Sequence, residues 1–134
     1  MLQNDPLSEK VLGCVFKVSS SLGVGFVEKV YENALVYELR KQGLGGEQQK
    51  GLEVWYDGVA VGDFTVDLLV EGTLLVELKA VKALDDMHLS QALNYLRASG
   101  QRVCLLINMG TSKPEIRRLV PGKDWKPVSH SEER

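Results

Sequence analysis

The chain has 134 residues, of which 44% are hydrophobic and 25% are charged, as in an ordinary soluble globular protein. It contains no apolar run near the ~20 residues of a membrane-spanning helix, and its first residues lack the features of a signal peptide, so we expect a cytoplasmic protein without membrane contact. Two cysteines are too few for a four-thiolate zinc or iron–sulfur site, and the formal net charge of −2 disfavours a large basic surface for nucleic acid.

Two helices are predicted in the first third of the chain. Asp5 followed by Pro6 has the pattern of an N-cap and a first helical residue, and apolar residues then recur at helical spacing up to the break at Gly23. A second helix is predicted from about Phe26 to Gln42. Gly43 follows it as a plausible C-terminal cap.

The middle of the chain changes to the two-residue period of strands. Three strands are predicted, over 52–56, 59–70 and 74–81. Asp57-Gly58 between the first two is a strong hairpin signal, and Gly62 is a candidate bulge. The spacing therefore predicts an antiparallel meander.

A third helix and a further strand complete the predicted fold. Asp85 can cap a helix that runs through Ala98 and ends at Gly100, and the apolar run 103–107 is typical of a strand buried on both faces. An edge strand is predicted over 115–120. The order ααβββαβ predicts an α/β (α+β) fold with a central mixed sheet flanked by helices. We expect a single domain over 1–120 and a polar, flexible tail over 121–134.

Two carboxylates interrupt strands that otherwise have the composition of a core. An unpaired carboxylate in such a place costs several kcal/mol, roughly, or becomes protonated. A three-residue loop at 71–73 would place Asp67 opposite Glu77 on one face, with Lys79 beside them. A divalent cation would relieve the repulsion between the two carboxylates. The alternative is an ordinary ion pair between Lys79 and one of them on a half-exposed face.

Two helix faces carry further polar residues. Glu28 and Tyr31 lie three residues apart on the second helix, and His88, Gln91 and Tyr95 form a polar stripe on the third. Packing of helix against sheet would also account for the two tyrosines. A solvated surface position would equally account for His88.

With these residues the sequence resembles the PD-(D/E)xK nuclease superfamily, and within it the GxxExxY proteins and the RecB-like branch. The resemblance covers roughly residues 8–110. Three groups of residues match in order: Gly25, Glu28 and Tyr31; Asp67 with Glu77-Leu78-Lys79; and Gln91 through Tyr95.

The resemblance implies a restriction-endonuclease-like core with a magnesium- or manganese-dependent phosphodiesterase site. Asp67, Glu77 and the backbone carbonyl of Leu78 would be metal ligands, and Glu28 would bind a metal or its water. Lys79 would act on the attacking water and the phosphate. The remaining residues would support the site or contact nucleic acid: Gln91, Tyr95, Tyr31 and His88.

The function expected from the resemblance is that of a nuclease acting on nucleic acid, with DNA as the preferred polymer, in repair or in defence against foreign DNA. The alternative is a non-catalytic scaffold that keeps the fold and binds nucleic acid or protein. A small-molecule nucleotide hydrolase is disfavoured, because the sequence has no glycine-rich phosphate loop. A homodimer or a larger protein partner would extend the small footprint of this chain on DNA.

Overall fold

A computed structural model of the protein describes residues 5–122. It contains three helices, α1 Pro6–Leu22, α2 Glu28–Lys41 and α3 Asp86–Ser99. It contains five strands, β1 Gly46–Tyr56, β2 Val59–Val70, β3 Leu74–Lys79, β4 Val103–Asn108 and β5 Glu115–Leu119. No helix within 5–122 is long and apolar enough to cross a membrane. The predicted tail over 121–134 lies outside the described residues apart from its first two positions.

The five strands form one mixed sheet in the order β1-β2-β3-β4-β5. Neighbouring strands are antiparallel except β3 and β4, which are parallel and are connected through α3. The predicted order ααβββαβ and the predicted mixed sheet flanked by helices are therefore confirmed, and β5 is the predicted edge strand.

The helix ends follow the predicted capping residues. The Asp5 side chain accepts a hydrogen bond of 2.7 Å from the Ser8 N–H at the start of α1. Asp85 caps α3, and Gly100 ends that helix in the left-handed conformation. Helix α2 begins at Glu28 rather than Phe26 and has no side-chain cap.

Two strand boundaries differ from the prediction. Strand β1 begins at Gly46 instead of residue 52, because it pairs along the whole of β2, from Tyr56 opposite Val59 to Gly46 opposite Val70. Strand β3 ends at Lys79 instead of residue 81. The predicted bulge is present one residue from Gly62: Val54 pairs with Gly62 and Trp55 with Ala60, so Val61 is the extra residue of β2.

The core lies on both faces of the sheet. Helices α1 and α2 cover one face, where residues such as Val11 and Leu35 pack against Leu78. Helix α3 covers the other, where Leu96 packs with residues such as Leu75. Strand β4 contributes to both clusters and is almost wholly buried, as its apolar sequence predicts.

A buried side chain fixes the connection that follows β3. Asn108, at the end of β4, is fully buried and bonds to both the N–H and the C=O of Val81 at 3.0 and 2.9 Å. It also donates to Glu115, whose carboxylate accepts the N–H of Leu84. Because this connection leads directly into α3, Asn108 sets where that helix starts relative to β3.

Candidate active site

The candidate site lies where β2 and β3 separate. The ladder between them pairs Leu68 with Val76 and Val70 with Leu74 across a three-residue loop, which is the predicted register. One step further, Asp67 and Glu77 lie opposite each other, but hydrogen bonds between backbone and side chain take the place of the backbone ladder. The Asp67 N–H donates to Glu77 Oε1 at 2.7 Å, and the Leu78 N–H donates to Asp67 Oδ2 at 2.7 Å.

Burial makes this carboxylate pair costly to ionise. Only 5% of Glu77 is exposed; desolvation, and next the charge of Asp67, raise the pKa of Glu77 to about 8. Desolvation also raises the pKa of Asp67, and the charge of Glu32 adds to that effect. Two adjacent carboxyl groups of this kind are stable either with a shared proton or beside a cation.

Lys79 contacts a residue of α3 rather than a carboxylate. Its Nζ donates to Gln91 Oε1 at 3.1 Å, and no ion pair joins Lys79 to Asp67 or Glu77 within 5–122. Its charge nevertheless lowers the pKa of both carboxyl groups. The structure therefore brings Gln91 and Lys79 together beside the acidic pair, and the alternative of a simple ion pair is wrong.

The other polar residues of α3 differ in what they contact. The Tyr95 ring stacks on Phe64 with the centroids 4.3 Å apart. Burial raises the pKa of Tyr95, and the charges of Glu77 and Asp67 raise it further. His88 instead belongs to the start of the helix, because its Nδ1 accepts the Asp85 N–H at 3.1 Å. Tyr95 thus faces the site, whereas His88 is occupied in capping.

Glu28 and Tyr31 lie at the start of α2 in different environments. Glu28 is exposed, and its charge is among the causes that raise the pKa of Glu77. Tyr31 is 1% exposed; its hydroxyl donates to the Gly23 carbonyl at 2.6 Å and accepts the Phe26 N–H at 3.3 Å. Tyr31 therefore fixes the loop that precedes Glu28 and has no free surface for nucleic acid.

Two residues near Asp67 were not predicted from the sequence. Glu32 is 3% exposed and accepts hydrogen bonds from Lys29, Gln48 and Gln49 at distances of 2.8 to 3.1 Å. Gln49 Nε2 also approaches Asp67 Oδ1 at 3.4 Å. Glu32 was detectable in principle, since it lies one helical turn after Glu28. Gln49 was hidden because β1 was predicted to begin after it.

The oxygen atoms available where β2 and β3 separate fit a hard divalent cation as ligands. Asp67 and Glu77 each use one oxygen on a backbone N–H, which leaves Asp67 Oδ1 with one long contact and Glu77 Oε2 with no hydrogen bond from the described residues. The Leu78 carbonyl points to the same side of β3 as its N–H, toward Asp67.

Within 5–122 no group of three or more His, Cys, Asp or Glu side chains is close enough to hold a metal. Glu28 is therefore not within direct ligand distance together with Asp67 and Glu77. Magnesium commonly binds through one or two carboxylates and keeps several waters. A site formed by the Asp67 and Glu77 carboxylates and the Leu78 carbonyl is compatible with this coordination.

Comparison with known proteins gives one family. Residues 5–119 match the model of a family described as the PD-(D/E)XK nuclease superfamily. Neither the curated proteins nor the solved structures give a significant match to the chain.

Proposed function

Because the chain belongs to the PD-(D/E)XK nuclease superfamily, we propose that it is a metal-dependent nuclease that hydrolyses phosphodiester bonds of DNA. The observation that supports this most is the pair of carboxylates, buried Glu77 and half-buried Asp67, inserted between two separating strands with Lys79 beside them. Buried acids with raised pKa values next to a lysine are typical of a functional site rather than of a structural core.

Mg²⁺ or Mn²⁺ would be held by Asp67, Glu77 and the Leu78 carbonyl, with Glu28 reached through a bound water. When bound, the ion supplies a Lewis acid for the phosphate and a water of lowered pKa. The hydrogen bonds from the Asp67 and Leu78 N–H groups fix one oxygen of each carboxylate, so the remaining oxygens are held ready for the cation.

Lys79 would stabilise negative charge that develops on the phosphate. An ammonium group acts well in this role when it is already in position, since no reorganisation is then needed during the reaction. The Gln91 amide oxygen provides that positioning through its 3.1 Å hydrogen bond from Lys79 Nζ.

A cavity beside the site supports a polymeric substrate. Phe26 is 48% exposed and Val24 is 54% exposed in the loop before Glu28. They line a cavity of about 480 Å³ together with the segment after Lys79, including Lys82. An exposed aromatic ring near a lysine suits an unpaired base and its phosphate. This arrangement favours a nucleic acid over a small nucleotide as substrate.

The experiment that tests the proposal compares two acid-to-amide variants on the same strand. Purified wild type, Asp67→Asn and Asp63→Asn are incubated with labelled single- and double-stranded DNA and RNA, in Mg²⁺, Mn²⁺ or EDTA. Asp63 is the matched control because it is an exposed carboxylate of β2, four residues before Asp67. Titration of each protein with Mn²⁺ by calorimetry accompanies the assay.

We expect DNA cleavage in Mg²⁺ or Mn²⁺ that stops in EDTA, that Asp67→Asn abolishes, and that Asp63→Asn retains. Cleavage that survives Asp67→Asn would show that the site is elsewhere. A wild type that neither cleaves nor binds Mn²⁺ would reject the metal-dependent mechanism and favour the scaffold. Cleavage of RNA alone would correct the substrate but keep the mechanism.

A further inference from the structure

Gln49 makes an amide bridge between the helix α2 and Asp67. Its Nε2 donates to Glu32 Oε1 at 3.0 Å and approaches Asp67 Oδ1 at 3.4 Å, while its Oε1 accepts the Thr65 hydroxyl at 3.2 Å. Only this orientation of the amide satisfies all three partners, because the reversed one would set an oxygen against two carboxylates. The contacts therefore fix the donor toward Asp67.

The backbone of Gln49 is unusual for a strand. Its φ is +51°, which side chains other than Gly and Asn rarely adopt. The pairing of β1 with β2 passes from Gln48 opposite Leu68 to Lys50 opposite Val66. Gln49 and Asp67 lie between these two pairs, so the irregular residue is opposite the candidate metal ligand.

Strand β2 changes face at this point. In β2, Phe64 and Val66 belong to the cluster under α3, whereas Leu68 and Val70 belong to the cluster under α1 and α2. Regular alternation would put these four residues on one face. Strand β2 thus changes face at Asp67, opposite the left-handed residue Gln49. Strained positions of this kind persist where the surroundings hold them and concentrate at functional sites.

Glu32 anchors the bridge from the helix side. It is almost fully buried and its two oxygens accept three hydrogen bonds, from Lys29 Nζ and from the amides of Gln48 and Gln49. With both oxygens used in this way, Glu32 suits the role of a fixed acceptor better than that of a metal ligand. Gln49 is therefore held on one side by a rigid group and presents its other N–H to Asp67.

We propose that Gln49 is a positioning residue that sets the orientation of Asp67 for the divalent cation, through an amide held by Glu32 and Thr65. This inference rests on the proposed metal site. Asp67 Oδ2 is fixed by the Leu78 N–H, and Gln49 restrains Oδ1, the oxygen left for the metal. Groups that orient a metal ligand typically change metal affinity by about 10- to 100-fold when they are removed.

The test measures Mn²⁺ affinity by calorimetry for the wild type, Gln49→Gly, Thr65→Val and Gln48→Ala, with thermal unfolding of each protein without metal. Gly adopts a φ of +51° freely, so Gln49→Gly removes the amide without backbone strain. Thr65→Val removes only the hydroxyl that donates to the amide oxygen, at an exposed strand position. Gln48→Ala is the matched control, because Gln48 bonds to Glu32 and Asn33 but not to Asp67.

We expect Gln49→Gly to weaken Mn²⁺ binding about tenfold or more and Thr65→Val to weaken it by a smaller factor. Gln48→Ala should bind Mn²⁺ within about twofold of the wild type, whatever its effect on the unfolding temperature. Wild-type affinity in both Gln49→Gly and Thr65→Val would overturn the positioning role while leaving the metal site intact. A wild type that binds no Mn²⁺ would instead reject the proposed function on which the inference rests.

Discussion

Asp67 donates its backbone N–H to the Glu77 carboxylate, while the Asp67 carboxylate accepts the N–H of Leu78 from the same strand as Glu77. The two residues thus close the gap between β2 and β3 with side chains where a regular sheet would use its ladder. The same contacts that complete the sheet bring two carboxyl groups together, with Glu77 buried and Asp67 half-buried. Under the proposed function, stability and metal binding are consequently linked at one pair of residues.

This link predicts how stability depends on pH without metal. Burial raises the pKa of Glu77 from 4.5 to about 8, so the folded protein holds the proton more tightly than the unfolded chain. The contribution of the Glu77 proton to the free energy of unfolding is then complete below about pH 4.5. It is lost as the pH rises toward 8, by roughly 2–4 kcal/mol between pH 5 and pH 8. Glu77→Gln should remove this loss.

Denaturant unfolding of wild type and Glu77→Gln at pH 5 and pH 8 checks the prediction. The variant should be more stable than the wild type at pH 8 and nearly equal to it at pH 5. Added Mg²⁺ at about ten times its Kd should stabilise the wild type at pH 8 by about 1.4 kcal/mol, and should not stabilise the variant. Equal pH profiles for the two proteins would contradict the buried carboxylate as the cause.

The hydrogen bond between Lys79 and Gln91 predicts two unequal kinetic defects. Lys79→Met removes the positive charge and should lower kcat by about 10²- to 10³-fold. Gln91→Ala keeps the Lys79 charge but removes the hydrogen bond that holds the ammonium group in position. We therefore expect kcat to fall by about tenfold while KM stays nearly unchanged. Cleavage of DNA under saturating Mg²⁺ measures both. Asn94→Ala, at an exposed position of α3, should have wild-type kinetics, and a Gln91→Ala defect confined to KM would argue against positioning.

The exposed ring of Phe26 predicts an effect on substrate binding. Phe26→Leu keeps an apolar side chain but loses base stacking, which is worth about 1–3 kcal/mol per base. KM or Kd for single-stranded DNA should therefore rise by about fivefold or more, with little change in kcat. Phe16 is a matched control, since it is 43% exposed on α1. If Phe16→Leu and Phe26→Leu weaken DNA binding to the same extent, the cavity beside the site does not bind the DNA.

The Tyr31 hydroxyl predicts a link between a buried side chain and Glu28. Tyr31→Phe keeps the ring but removes the bonds to the Gly23 carbonyl and the Phe26 N–H, so the free energy of unfolding should fall by about 1–2 kcal/mol. The loop before α2 should loosen as well, which hydrogen exchange of 23–27 would detect. Faster exchange confined to this loop would support its role in placing Glu28, whereas unchanged exchange would contradict it.

The extent to which this fold was predictable depended on how local each signal was. Asp5 and Asp85 act on backbone groups three residues away, and the hairpin at Asp57 depends on two adjacent residues, so these features follow from short sequence patterns. The register between Asp67 and Glu77 also followed, because a three-residue loop at 71–73 places the two carboxylates opposite each other, whereas a two-residue loop would place Asp67 opposite Val76.

The parts that were missed depend on distant partners. The role of Gln49 is apparent only from its contacts with Asp67 and Glu32. The left-handed backbone that allows these contacts is not typical of glutamine in a strand. Asn108 likewise follows an apolar strand without any local sign that Val81, 27 residues earlier, would need both of its backbone groups satisfied. Contacts of this kind are decided by tertiary packing and not by periodicity.

Asn108 provides the last prediction, because it couples the fold to the position of α3. Asn108→Leu would leave the Val81 N–H and C=O without their partner, and unsatisfied buried groups of this kind cost about 1–3 kcal/mol each. We expect a loss of about 3 kcal/mol or more in the free energy of unfolding, measured with urea. Gly110→Ala acts on the same segment by a different cause, since an added Cβ would lie 2.3 Å from the Val81 carbonyl oxygen.

Both variants should also lower kcat more than they raise KM, because displacement of the segment after β3 moves Gln91 away from Lys79. Asn33→Leu, at an exposed position of α2 with one side-chain hydrogen bond, serves as the control for loss of an asparagine. Large destabilisation with unchanged kcat in the folded fraction would show that Asn108 supports the fold without positioning Lys79.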